Sequence, residues 1–148
     1  MERYGKNGRV CTAFVKGFRL KNGALASSVS HDHHNIVVVG TNDRDMLCAV
    51  KELERLHGGF AAAVDGEVAA SIALPLGGLM SPLSAGEVME QMERVNAAAA
   101  DLGCTMAAPF MTLSFISLPT VPQLGLTDVG LIDVLKHSTC PLILETQE

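Results

Sequence analysis

Between residues 31 and 35 the chain reads His-Asp-His-His-Asn, a cluster of side chains able to hold a metal, move a proton or fix a turn. His31 and His33 alternate on a segment that reads as extended, and imidazole nitrogen suits zinc or iron. Such a site needs further ligands. His57 and His137 are too distant along the chain to be assigned, and no acidic residue stands at a ligand spacing. The same residues could serve acid–base chemistry, one imidazole taking a proton while Asp32 or Asn35 fixes its tautomer. A structural use is the third alternative: His31 and Asn35 bonding backbone groups, Asp32 accepting amide donors, and an exposed His33 doing little. Residue types alone leave all three open.

The elements that must position this cluster are readable around it. The apolar run 36–39 ends at Gly40 and predicts a buried strand with the polar residues at its mouth. Residues 10–15 and 24–30 predict two further strands, joined through Gly17 and the turn pair Asn22-Gly23, so the order is strand, turn, strand, site. After Gly40 a helix is expected, capped by Thr41 or Asn42, with Asp43 and Asp45 in its first turn. Its packed face is Met46, Ala49, Val50, Leu53 and Leu56, with Arg44, Lys51, Glu52 and Arg55 turned away, and Gly58-Gly59 stops it. VVVGTND matches no phosphate-loop pattern, which leaves the helix start at Asn42 a weak anion site.

Further on, Asp65-Gly66 between 60–64 and 67–74 is the clearest hairpin signal, and the alanines in both arms predict a closely packed layer over it. Ser84 with Glu87 forms a capping box for a second helix whose stripe is Val88, Met92, Val95, Ala99 and Leu102. Periodicity does not decide between strand and helix for 110–118. Residues 131–135 and 141–144 read as an edge strand and a docked tail. Leu79, Met80, Met106, Phe110 and Met111 could line a pocket, although core filling is the commoner use of such residues. The sum is an α+β fold: a mixed, largely antiparallel sheet with two main helices packed on one face.

Composition narrows the function classes. The 148 residues, 48% hydrophobic, suit one domain, with 1–8 a poorly ordered lead-in. A net charge of −5, no Trp and one Tyr argue against a nucleic-acid surface. No apolar run has the length of a membrane span and no signal-peptide pattern opens the chain, so a cytoplasmic protein is expected. Cys11, Cys48, Cys104 and Cys140 form no CxxC pair and read as buried or idle thiols.

Three separated stretches, FVKGFRLKNGALASSVSHDHHNIVVVGTND (14–43), PLGGLMS (75–81), and DLGC followed by PFMTLSFISLP (within 101–119), agree in order and spacing with one family. From about residue 2 to residue 134 the chain resembles the C-terminal domain of adenine deaminase, with 136–148 a divergent tail. The resemblance implies the amidohydrolase group, which converts adenine to hypoxanthine and ammonia in purine salvage by a metal-activated water held in a barrel domain. Manganese, iron or zinc would be that metal. The barrel is absent, because 148 residues cannot hold both an eight-stranded barrel and this domain. The resemblance therefore implies no cofactor in this chain and a domain that is catalytically incomplete alone. It would act by packing or by forming a homo-oligomer, or would complete a separately encoded barrel subunit. His31, Asp32, His34 and Asn35 match the family signature H-D-x-H-N, with His33 in its variable place. His31, Asp32 and His34 are thereby the candidate catalytic residues, His31 and His33 the weaker metal candidates. The alternative is a module binding a purine or a metal, or a residual hydrolase, with this cluster beside the Leu79-Met80 loop.

Overall fold

The computed structural model describes residues 1–30, 32–121 and 123–143. Four strands, β1 (Ala24–Ser27), β2 (Val37–Gly40), β3 (Gly59–Val64) and β4 (Glu67–Ala73), form a sheet in the order β2-β1-β3-β4. Helix α1 (Asp43–Arg55) links β2 to β3, and α2 (Ala85–Asp101) and α3 (Pro109–Ile116) follow β4. A second sheet, β5 (Leu124–Thr127), β6 (Gly130–Asp133) and β7 (Ser138–Cys140), has the order β5-β6-β7. Every described ladder is antiparallel, so the class is α+β as expected but the sheet is not the mixed one expected.

The helices do not share one face of the sheet. Leu25, Phe60, Ala62 and Ile72 point to α2 and α3, meeting Val95, Ala99, Leu102, Phe110 and Leu113. Ala24, Ala26, Ala61 and Ala63 point the other way, onto Ala49 and Leu53 of α1. The central strands are apolar at successive positions rather than at alternate ones, so both faces must leave water and each needs its own cover. Phe110 stacks on Phe60 at 4.9 Å between ring centroids, which places it in the core and not in a pocket.

Local chemistry explains the element ends. Asn42 caps α1, its side-chain oxygen accepting from the Asp45 amide at 2.9 Å. At the other end His57, in the left-handed region, donates to Glu54 O, and Gly58 donates to Leu53 O at 2.8 Å, the paired bonds of a Schellman stop. Asp65 and Gly66 both have positive φ, as a two-residue type I′ turn requires. The Ser84–Glu87 capping box is present, and Pro109 at the first helical turn makes 109–116 a helix.

Several expectations are corrected. Glu52 is not turned to solvent: it is 8% exposed, clamped by Arg55 through two 2.7 Å bonds and receiving Ser71 Oγ from β4. Residues 10–15 form no strand, because no ladder partner meets them among the described residues. The 36–39 run supplies most of a half-buried edge strand, with only Ile36 buried, and 131–135 contributes the middle strand of the second sheet. Within 1–8, Glu2 accepts from the amides of Tyr4 and Lys6, and Arg3 donates to the carbonyls of His57 and Gly77. Of the 141–144 tail, Leu144 lies outside the described residues.

Candidate functional site

The turn between β1 and β2 is built by Ser30, whose carbonyl accepts from the amides of His33 and His34, at 3.2 and 2.6 Å. His34 closes that turn with φ of 56°, a left-handed conformation rare for a residue with a side chain. From it the chain emerges with Asn35 and Ile36 buried just ahead of β2.

His33 is engaged through both ring nitrogens. Its Nδ1 accepts from the Asn35 amide at 3.1 Å, and its Nε2 lies 2.9 Å from Ser117 Oγ just beyond α3. Because Nδ1 must accept, neutral His33 carries its proton on Nε2, which donates to Ser117, and Ser117 donates onward to Ser114 O at 2.9 Å. Burial pushes the His33 pKa below the ordinary histidine value, and contact with Ser117 and the charges of Asp32 and Asp128 only partly counter it. Asn35 Nδ2 donates to Asp128 Oδ1 at 3.2 Å in the β5–β6 turn, and Cys11 Sγ donates to the Asp128 carbonyl. These bonds fasten the turn to α3 and to the second sheet.

The other candidates are spread out. Asp32 is exposed on the turn beside His33. His34 Nδ1 and Ser30 Oγ are buried without a hydrogen-bond partner among the described residues. His31 lies outside the described residues. His57 and His137 occupy left-handed positions, at the end of α1 and in the β6–β7 connection. Among the described residues no three His, Cys, Asp or Glu side chains gather as a metal site, and both ring nitrogens of His33 are engaged by protein. The donors described do not fit a divalent metal, so no step is derived through one. All four cysteines are free, and burial pushes the Cys48 thiol pKa up, away from reactivity.

His33, Asn35, Ser117 and Asp128 sit at one end of a cleft of about 1180 Å³. Its walls are β2, residues 10–20, the end of α3 and the second sheet, largely apolar, whereas Leu79 and Met80 take no part. Phe14, 89% exposed, and Val10 stand on its rim. A smaller concavity of about 390 Å³, with Arg44, Lys51 and Arg55, lies between α1 and the β3–β4 turn, and Asp32, His33, His34 and Asn35 take no part in it. Sequence reasoning missed Ser117 and Asp128, whose partners lie 84 and 93 residues away. No helix among the described residues is long and apolar enough to cross a membrane.

Fold and site together define a class: an α+β domain with a polar turn fastened at the end of an apolar cleft that follows a sheet edge. More particularly, the chain belongs to the family described as the adenine deaminase C-terminal domain, whose profile matches residues 1–138. It is 61% identical over 147 residues to an adenine deaminase of Desulforamulus reducens, covering 99% of this chain and 25% of that protein. To those of Dehalococcoides mccartyi and Brucella anthropi it is 52% and 49% identical, over 95% and 93% of this chain. The chain thus spans about a quarter of the length of the curated relatives it matches.

Proposed function

We propose that this domain serves an adenine deaminase as a packing component, incomplete as a catalyst by itself, and that it works in purine salvage in the cytoplasm. One observation carries the reading. Within the turn His33 is bonded to Asn35 and Ser117, and Asn35 to Asp128, while the cleft it borders is walled and rimmed by apolar side chains such as Phe14 and Val10. An apolar surface of that kind marks an interaction site. The chemistry, with its manganese, iron or zinc, belongs on this reading to the barrel part of the enzyme, which this domain covers and orders, as a homo-oligomer or beside a separate barrel subunit.

The test is adenine deamination by the purified chain with added manganese, iron or zinc, and by the same chain mixed with the remaining three-quarters of the Desulforamulus reducens enzyme. The expected result is no turnover alone and restored turnover in the mixture. Turnover by the chain alone in proportion to bound metal overturns the reading and moves the chemistry to His31, His33 and His34. The cleft volume supports a second reading, a purine-binding module. A rise in melting temperature with adenine or hypoxanthine is its signature, since a ligand that binds only the native state must stabilise it.

A further inference from the structure

The main sheet has two edges, and they are finished differently. On β4 the register steps between Ala62↔Ala70 and Ala63↔Val68, leaving Ala69 as the extra residue of a bulge, and charged Glu67 opens the strand. Bulges and charges are the devices by which sheets discourage a further strand. On β2 the residues are Val37, Val38, Val39 and Gly40, in unbroken register with β1, with no bulge, proline or charge. An edge of this kind is a template for pairing.

Hydrogen bonding fixes which groups that edge offers. Val37 pairs with Ser27 and Val39 with Leu25, and Thr41 donates to Gly23 O, so the odd-numbered residues turn their backbone groups toward β1. Ile36 turns the opposite way, and there it exchanges two bonds with Met1: the Met1 amine donates to Ile36 O at 2.9 Å and the Ile36 amide donates to Met1 O at 3.0 Å. By the same alternation Val38 and Gly40 present N–H and C=O to the cleft, where no partner for them is found among the described residues. Met1 and Ile36 are the first closed pair of an antiparallel ladder that has room to continue.

The far wall carries the complementary signal. Residues 10–15, Val-Cys-Thr-Ala-Phe-Val, have the composition of a strand but join no ladder among the described residues, and they line the same cleft as β2. The Met1 amine is partly buried, and burial pushes its pKa down; a peptide amide at that place donates the same bond without a charge to desolvate.

We infer that the slot beside β2 seats one further strand, antiparallel to β2, supplied by the part of an adenine deaminase chain that immediately precedes the region matched by this domain. In this register the second and fourth residues ahead of Met1 lie opposite Val38 and Gly40 and exchange backbone bonds with them. The inference rests on the proposed function, because it takes the occupant from the enzyme's remaining three-quarters. It adds the place and geometry of the joint: a five-stranded sheet whose new strand is the lead-in from the rest of the enzyme.

The test is amide hydrogen exchange, read residue by residue by NMR, on the full chain and on the full chain extended ahead of Met1. The extension is the stretch of about ten residues preceding the matched region in the Desulforamulus reducens enzyme, ample for one strand. The expected result is that Val38 and Gly40 amides slow by about tenfold or more in the extended chain, while Val37 and Val39 are protected in both. Proline at the second residue ahead of Met1 removes the N–H that the Val38 carbonyl would accept, and the weakened rung speeds Val38 exchange relative to the extended chain without proline. Equal rates at Val38 and Gly40 in the two chains overturn the inference. So does slowing in the unextended chain that grows with protein concentration, which assigns the edge to a second copy. The deamination mixture tests the proposed function separately: restored turnover with no slowing at Val38 refutes only the joint, and slowing without turnover refutes only the function.

Discussion

Ser117→Ala removes the oxygen that joins the signature turn to α3. Ser117 is 2% exposed, and its hydroxyl makes two bonds, receiving His33 Nε2 and donating to Ser114 O, each at 2.9 Å. Alanine leaves both partners without it. A stranded buried donor or acceptor costs roughly 1–3 kcal/mol, and because His33 is only half-buried and water can reach it, the expected loss is about 2 kcal/mol. For a chain of this size that corresponds to a Tm lower by about 4–8 °C. Urea denaturation at pH 8, where His33 is neutral, reads the loss as a shift in midpoint at unchanged slope. The ring nitrogen resonances of His33 should then show a mixture of tautomers in place of one. A cycle with His33→Phe should give a coupling of about 1 kcal/mol between the two positions. A loss under about 0.5 kcal/mol with an unchanged tautomer refutes the account of the turn as fastened through this oxygen.

Two further outcomes follow from titrating groups. His33 is held below its ordinary pKa mainly by burial, so the unfolded chain takes up the proton first. His33 therefore causes no loss of stability above about pH 6.5, and stability falls as pH drops through that value toward the lower native one. His33→Gln should flatten this part of a Tm-against-pH curve, and an unaltered curve contradicts it. Asp45 behaves oppositely: bonds from the Asn42 side chain and the Gly66 amide hold its pKa down. Asp45→Asn should cost on the order of 1–2 kcal/mol at pH 7, and its gap from the unaltered protein should close as pH falls below about 4 in acid-denaturation curves.

What was legible in the sequence was whatever is decided within a few residues. The cap at Asn42, the Asp65-Gly66 turn and the Ser84–Glu87 box each close on themselves, and each stands where the residue types placed it. The long-range decisions were hidden. Glu52 looks like a surface residue until Ser71 of β4 arrives beneath it, and His33, in the variable place of the signature, takes its role from a serine beyond α3. The strand expected at 10–15 fails for a related reason, because propensity supplies a willing segment but a ladder needs a neighbour. Which face a helix covers was equally out of reach, since an alanine-rich strand reads the same from both sides.

That alanine-rich side divides the domain's tolerance of change. Ala24, Ala26, Ala61 and Ala63 are fully buried, and Ala49 of α1 meets them with a methyl group of its own. Methyl against methyl is a hard stop that sets how closely α1 lies on the sheet, and a larger side chain must lift the whole helix. The opposite side, filled by Phe60, Leu25, Ile72, Phe110 and Leu113, can trade volume between neighbours. Evolution and engineering alike have a rigid bearing on one side of this sheet and an adjustable cushion on the other, and α1 with its Asp45 and Glu52 ties is carried on the bearing.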